Sequence, residues 1–288
     1  LRGIADDLPL NEWLESRIWP LEKSLVDRDF VSEGAHLAIA EMITSGTTCF
    51  ADMYFFPDEV AKAASLANMR VQLASPILDF PTIWANNPDE YILKATQLHD
   101  DYRNNEVVYT AFGPHAPYTI SDEPLIKIGV LADELDIPIH MHIHETKKEI
   151  QDSINQFGCR PLERLLNLGL ITPRLNAIHS TQLLDGEISY ISQLGANIIN
   201  CPISNMKLAS GFCEVIKLMT QDINVALGTD GAASNNTLDM INKDGHLVDY
   251  KPLNQFLMSH NAYKIEKWSK FASKTDVHNG IRFTHIYR

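Results

Sequence analysis

The stretch IPIHMHIHETKKE, residues 137–149, places His140, His142 and His144 at alternate positions and follows them with Glu145. Alternate residues of a β-strand share a face. The residues between them, Ile139, Met141 and Ile143, are apolar, so the stretch reads as a buried strand with one imidazole-lined side. Two further groups of suitable type end other apolar runs: His179 in LNAIHST and Asp230 in NVALGTDG. Neutral imidazole nitrogens and carboxylate oxygens are the donor set for a borderline divalent ion such as zinc. A metal with an open position brings the pKa of its water to about 7, so the implied chemistry is hydrolytic. A carboxylate beside the metal, not itself a ligand, can move protons. Glu145 suits that role, because its parity takes it off the His142 face and onto the turn just past the strand.

These side chains need a frame that brings strand ends together. Seven β-rich runs recur, at 47–53, 70–78, 107–115, 138–145, 175–181, 196–202 and 224–231. Amphipathic helix patterns lie between them. One ends at Gly46, one has acidic residues at Asp58 and Glu59 in its first turn, one starts from a Ser121 cap, and one runs from Asp185 to Gly195. Alternating strand and helix with short links predicts parallel strands and right-handed crossovers. A doubly wound sheet and a (β/α)8 barrel both satisfy that pattern. No G-x-G-x-x-G follows the first run, so the dinucleotide fold lacks its fingerprint. His115, His142, His144, Glu145, His179 and Asp230 instead collect at the C-terminal ends of several runs, as reactive groups do in barrels. The expectation is an α/β (β/α)8 barrel with one strand out of view.

Each residue also admits a structural reading. His140 suits a lower barrel layer, bonded to a neighbour. His144 suits either site wall or structure. TDG is an ordinary turn, and FGPH an ordinary strand end. The concurrence of four such residues at strand ends favours chemistry.

Composition narrows the class. The chain has 288 residues, a formal charge of −13, and 45% hydrophobic and 21% charged residues. The acidic balance argues against nucleic acid and against an anionic membrane surface. No apolar run approaches the roughly 20 residues of a membrane helix, and no leader pattern is visible. Cys49, Cys159, Cys201 and Cys213 form no C-x-x-C, and reduced thiols in a cytoplasmic protein are expected. Residues 241–288 carry eight Lys/Arg against four Asp/Glu, a reversal that marks a boundary. The expected organisation is a barrel over 1–240 and an atypical segment over 241–288, with a helix and a strand as its candidate elements.

The stretches LRGIADDLPLNEWLESRIWPLE, GTTCFADMYF, LDFPTIWANNPDEY, FGPHAPYT, HMHIHET, NCPISNMKLASG and GTDGAASNN span Leu1 to about Met240. On these the chain resembles the amidohydrolase superfamily, in particular its 5-methylthioadenosine/S-adenosylhomocysteine deaminase branch. The resemblance implies a metal-dependent barrel that deaminates an adenine nucleoside. His142 and Asp230 would ligate one divalent ion, zinc first and iron or manganese as alternatives. Glu145 would shuttle a proton to the ring, and His179 would hold the water or the developing oxyanion. Glu22 would take the ribose hydroxyls, His115 would contact substrate, Ser234 would line the pocket, and Trp84 with its loop would cover the thioether end. Hydroxide activated by the metal would attack C6, Asp230 would help remove its proton, and ammonia would leave. A nucleoside is the implied partner, with homo-oligomerisation left open.

Two departures accompany the resemblance. The family draws two more ligands from an H-x-H on its first strand, expected just before Leu1, and the sequence after NNTLDM does not follow the family pattern. Both fit a fragment with little activity alone. The rival readings are a guanine or cytosine deaminase, a triazine-type hydrolase, and a non-catalytic remnant. A Ser/His/Asp hydrolase is disfavoured, since no G-x-S-x-G elbow is present.

Overall fold

In the computed structural model, which describes residues 1–5 and 8–240, each of the seven apolar runs forms one strand. They are β1 (Cys49–Asp52), β2 (Arg70–Ile77), β3 (Val108–Pro114), β4 (Ile139–Ile143), β5 (Leu175–His179), β6 (Asn197–Asn200) and β7 (Val225–Leu227). All pair in parallel, in the spatial order β1-β2-β3-β4-β5-β6-β7, within one curled sheet. That unbroken order separates the two candidate folds. A doubly wound sheet reverses its strand order at a switch point, whereas a (β/α)8 barrel adds each strand beside the last. The architecture is therefore of the (β/α)8 type, with seven strands among the described residues.

The helices supply the crossovers. Before β1 come α1 (Leu10–Trp13), a π-helical turn at Leu14–Ile18, α2 (Trp19–Leu25) and α3 (Arg28–Thr44). Then follow α4 (Pro57–Ala67), α5 (Pro88–Tyr102), α6 (Asp122–Leu135), α7 (Lys147–Phe157), α8 (Pro161–Asn167), α9 (Asp185–Leu194), α10 (Pro202–Lys207) and α11 (Val215–Thr220). Local chemistry sets their ends. Asp27, Asn87 and Thr146 each accept a backbone N–H of the first turn of α3, α5 and α7. Gly195 ends α9 in the left-handed conformation that a residue without Cβ tolerates. Ser121 does occupy the N-cap position of α6, but its hydroxyl makes no capping bond among the described residues. The segment 241–288, with its candidate helix and strand, lies outside the described residues.

Alternation divides the strands into two faces. Val71, Leu73, Phe112, Ile139, Met141, Ile143, Leu175 and Ile198 belong to the large core shared with the helices. The opposite face carries small side chains, with Ala51, Ala74, Ala111, Ile178, Ile199 and Ala226 forming a separate inner cluster. A curled sheet has little room inside, so small residues there follow from geometry. His140 lies on this inner face, its Nε2 2.7 Å from Gln72 Oε1 and 3.0 Å from Asn176 Nδ2. Burial pushes its pKa down to about 4, so it is a neutral structural residue of the lower layer. His142, two residues on, stands above it at the C-terminal rim.

Candidate functional site

The rim is built on strained backbone. His144, His179, Ser180 and Asp230 all have left-handed φ, at 55°, 71°, 51° and 61°. Side chains with a Cβ pay roughly 1–2 kcal/mol for that conformation, and such strain concentrates at functional sites. Its effect here is to override strand parity. By alternation His144 belongs with His140 and His142, and His179 does not, since its neighbour Ile178 is on the inner face. The left-handed turns reverse both. His144 swings away from the mouth: its Nε2 accepts the Leu162 N–H at 3.0 Å and its Nδ1 lies 3.6 Å from Glu187. Burial lowers its pKa to about 3. It is a brace between β4 and α8. His179 turns in, and its ring stacks on that of His142 with centroids 5.5 Å apart and 25° between planes.

His142 is oriented by β3. The His115 carbonyl accepts both its backbone N–H, at 3.0 Å, and its Nδ1–H, at 2.6 Å. A carbonyl can only accept, so Nδ1 carries the proton and Nε2 the lone pair, the arrangement a metal-ligating imidazole needs. The His115 ring itself lies 4.9 Å from the His142 ring. Glu145, 1% exposed, leans over the mouth from the turn after β4, with Oε2 3.5 Å from His179 Nε2 and Oε1 3.4 Å from Ser210 Oγ. Asp230 ends the run through β7, fully buried, with Oδ2 accepting from Ser204 Oγ at 2.6 Å and Oδ1 from the Gly231 N–H at 2.7 Å.

Beside this cluster opens a cavity of about 970 Å³, within the usual range for a small-molecule site. His115 and His142 reach its wall, as do Glu22 and Asp52. Glu22 Oε1 accepts the Tyr54 hydroxyl at 2.8 Å. Burial, and then the Glu22 carboxylate, push the Tyr54 pKa upward, so it stays a donor. Asp52 is 5% exposed, and its Oδ2 has no hydrogen-bond partner among the described residues. Burial raises its pKa to about 7.

Two of the expected contact residues sit elsewhere. Trp84 is buried against Tyr91, with centroids 5.7 Å apart, and beneath Lys94. The cavity wall from its loop is instead Phe80, Pro81, Thr82 and Ile83. The reason is size: a 6%-exposed indole packs the loop base, and the smaller residues before it face the opening. Ser234 is fully buried inside the turn after β7, its hydroxyl donating to the Gly231 carbonyl at 3.3 Å, while Ala232 and Ala233 reach the cavity.

Several supporting groups escaped sequence reasoning. Glu149, on the first turn of α7, accepts the backbone N–H of His144 at 2.8 Å and that of Glu145 at 2.6 Å. Burial raises its pKa to about 7 against those two bonds. Ser204 and Asn205 hold Asp230 and His179. The signals available were the second glutamate in HETKKE and the polar pair inside NCPISNMKLASG.

The donors present do not by themselves complete a metal site. Among the described residues no group of three or more His, Cys, Asp or Glu side chains could hold a metal ion. Catalytic zinc takes three protein ligands, and His142 with Asp230 would supply two. Among the described residues no helix is long and apolar enough to cross a membrane.

Comparison with known proteins bears on the site. The family described as the amidohydrolase family matches residues 1–273. A 5-methylthioadenosine/S-adenosylhomocysteine deaminase of Saccharophagus degradans is 54% identical over 242 residues, covering 84% of this chain and 54% of that protein. The crystal structure of an adenosine deaminase from Xanthomonas campestris, with bound zinc, superimposes with a TM-score of 0.82 at 44% identity, over 96% of this chain and 60% of that one. A guanine deaminase from C. acetobutylicum shares the fold, with a TM-score of 0.79 at 21% identity over 91% of this chain and 64% of that one. The chain spans about half the length of the curated relatives it matches.

Proposed function

The chain belongs to the amidohydrolase family, and on that premise we propose that the protein it forms part of hydrolytically deaminates an adenine nucleoside, with 5-methylthioadenosine and S-adenosylhomocysteine as the first substrates to test. The observation that carries this reading is the meeting of His142, His179 and Glu145 at one rim, the His179 Nε2 lying 3.5 Å from Glu145 Oε2 beside the stacked imidazoles. The relatives named for adenine nucleoside deamination support the substrate class.

We assign zinc as the metal, with His142 and Asp230 as this chain's contribution to its ligands. When bound, it supplies a water acidic enough to act as a nucleophile near neutral pH. The remaining work falls to the chain's own groups. Glu145 holds the proton that goes to the purine ring nitrogen, in a setting 1% exposed where bulk water does not compete. His179 Nε2 points at the same space and holds the attacking oxygen in register. Glu22, on the cavity wall and oriented by the Tyr54 hydroxyl, accepts from the sugar hydroxyls. The apolar wall at Phe80, Pro81 and Ile83 takes the thioether side. Residues 1–240 act as one barrel domain.

The test is ammonia release by the whole, zinc-loaded protein from 5-methylthioadenosine, S-adenosylhomocysteine, adenosine, guanine, cytosine and a triazine. Turnover of the adenine nucleosides is expected, falling by about a hundredfold or more in Glu145→Gln. Turnover of guanine, cytosine or the triazine with the adenine nucleosides inert would refute the reading.

A further inference from the structure

The loop and helix after β6 touch three site residues that lie on three different elements. β6 sits between β5 and β7 in the sheet, so the chain leaving it passes over the ends of both neighbours. Consecutive residues of a helix point about 100° apart, and α10 uses this at Ser204 and Asn205. Ser204 Oγ donates to Asp230 Oδ2 at 2.6 Å, beyond β7. Asn205 Oδ1 accepts from His179 Nδ1 at 2.7 Å, at the end of β5. Five residues further on, Ser210 Oγ lies 3.4 Å from Glu145 Oε1, on the turn after β4.

We infer that segment 204–210 is a positioning clamp, in which Ser204, Asn205 and Ser210 set the side-chain orientation of Asp230, His179 and Glu145 respectively. This deepens the reading above and rests on it for the roles of the three held residues.

The clamp is itself held. Asn205 Nδ2 donates to Asn200 Oδ1 of β6 at 3.2 Å. The Ser210 N–H donates to the Asn205 carbonyl at 2.8 Å, and the Ser210 carbonyl accepts from Thr181 Oγ1 and Gln182 Nε2 at 3.2 and 2.9 Å. Gly211 makes the close approach feasible: its φ is 136°, and a Cβ there would stand 2.5 Å from Gln182 Nε2 and 2.9 Å from Thr181 Oγ1. Ser204 and Asn205 are at most 1% exposed, and Ser210 is 4% exposed. All three clamp groups are neutral, so they fix direction without adding charge to the site. Asp230 has both oxygens engaged, one by Ser204 and one by the Gly231 N–H, which stops rotation about its terminal bond.

Two arms test the clamp. In the 288-residue chain, side-chain nitrogen NMR of His179 reads the Asn205 bond without any turnover. Asn205→Ala is expected to shift the Nδ1 resonance and Asn205→Asp, which keeps the acceptor, to retain the bonded signal. An unmoved His179 resonance in Asn205→Ala would overturn the inference. In the whole zinc-loaded protein, Ser204→Ala and Ser210→Ala are each expected to lower kcat about tenfold, the size of one lost orienting hydrogen bond, with KM changed less than about threefold. Ser204→Thr, which keeps the hydroxyl, is expected to recover most of kcat. A fall in thermal midpoint with kcat intact would reduce these residues to packing and overturn the clamp. If the whole protein deaminates no adenine nucleoside, the functional reading fails, while the His179 resonance still decides the clamp. Should Asn205→Ala not fold, Asn205→Leu, near in size and without the acceptor, carries the same decision.

Discussion

Two buried carboxyl groups, one on each side of the mouth, show how differently its two sides are built. Glu149, beside the end of β4, accepts two consecutive backbone N–H groups. Asp52, at the end of β1 and on the cavity wall, keeps an oxygen without a partner among the described residues. Burial raises both to about 7. The same desolvation therefore has two meanings. On the β4–β5 side it accompanies a brace that fixes the turn carrying Glu145. On the β1 side it marks an acid with one oxygen that has no partner among the described residues.

The largest effect expected from this contrast is at Glu149. Glu149→Ala leaves two buried N–H groups without an acceptor, and urea unfolding should show a loss of roughly 3 kcal/mol. A loss under about 1 kcal/mol would mean that the turn is held by other contacts.

Asp52 should respond in the opposite direction. Its folded pKa, about 7, lies above the ordinary aspartate value of 3.8, so the folded chain holds that proton more tightly than the unfolded one. Its contribution to stability is full below the unfolded pKa and is lost as pH rises through about 7. Asp52→Asn has no proton to lose. It should exceed the parent in stability at pH 8, with the gap closing toward pH 4. Thermal midpoints across that range would reveal it, and a gap independent of pH would refute it. Glu149 titrates with the same sign from 4.5 to about 7. The Asp52→Asn variant should therefore still lose some stability over this window.

Smaller effects should follow at the periphery of each side. Tyr54→Phe removes one hydrogen bond to Glu22, for about 1 kcal/mol, and should raise KM for nucleosides more than it lowers kcat. Breaking the exposed pair Lys148–Asp152 with Lys148→Ala should cost about 0.5 kcal/mol or less. An effect there as large as at Glu149 would dissolve the contrast between a braced turn and its surface.

Much of this was legible in the residues. Short β-rich runs separated by helix patterns located the seven strands of the described residues, because strand formation and burial depend on local composition. The polar groups at their C-terminal ends marked the rim beside which the cavity opens. Glu22, His115 and His142 reach the cavity wall, and Glu145 leans from the turn where its parity placed it. Trp84 and Ser234 lie off the cavity wall because side-chain packing inside each loop decides which residues face out: Lys94 and Tyr91 enclose the indole, and the tight turn at Gly231 encloses the serine.

Residue type and spacing alone determined the parallel strand–helix alternation, the apolar and imidazole faces of β4, and the supply of acids and imidazoles at the strand ends. Tertiary structure alone decided which of those imidazoles meet. The sequence put His179 at the mouth and left His144 between site wall and structure; strand parity by itself favours the reverse, and left-handed backbone at both positions decides the outcome. That outcome is possible only because contacts from α8 and from the segment after β6 stabilise conformations that an isolated strand end would not adopt.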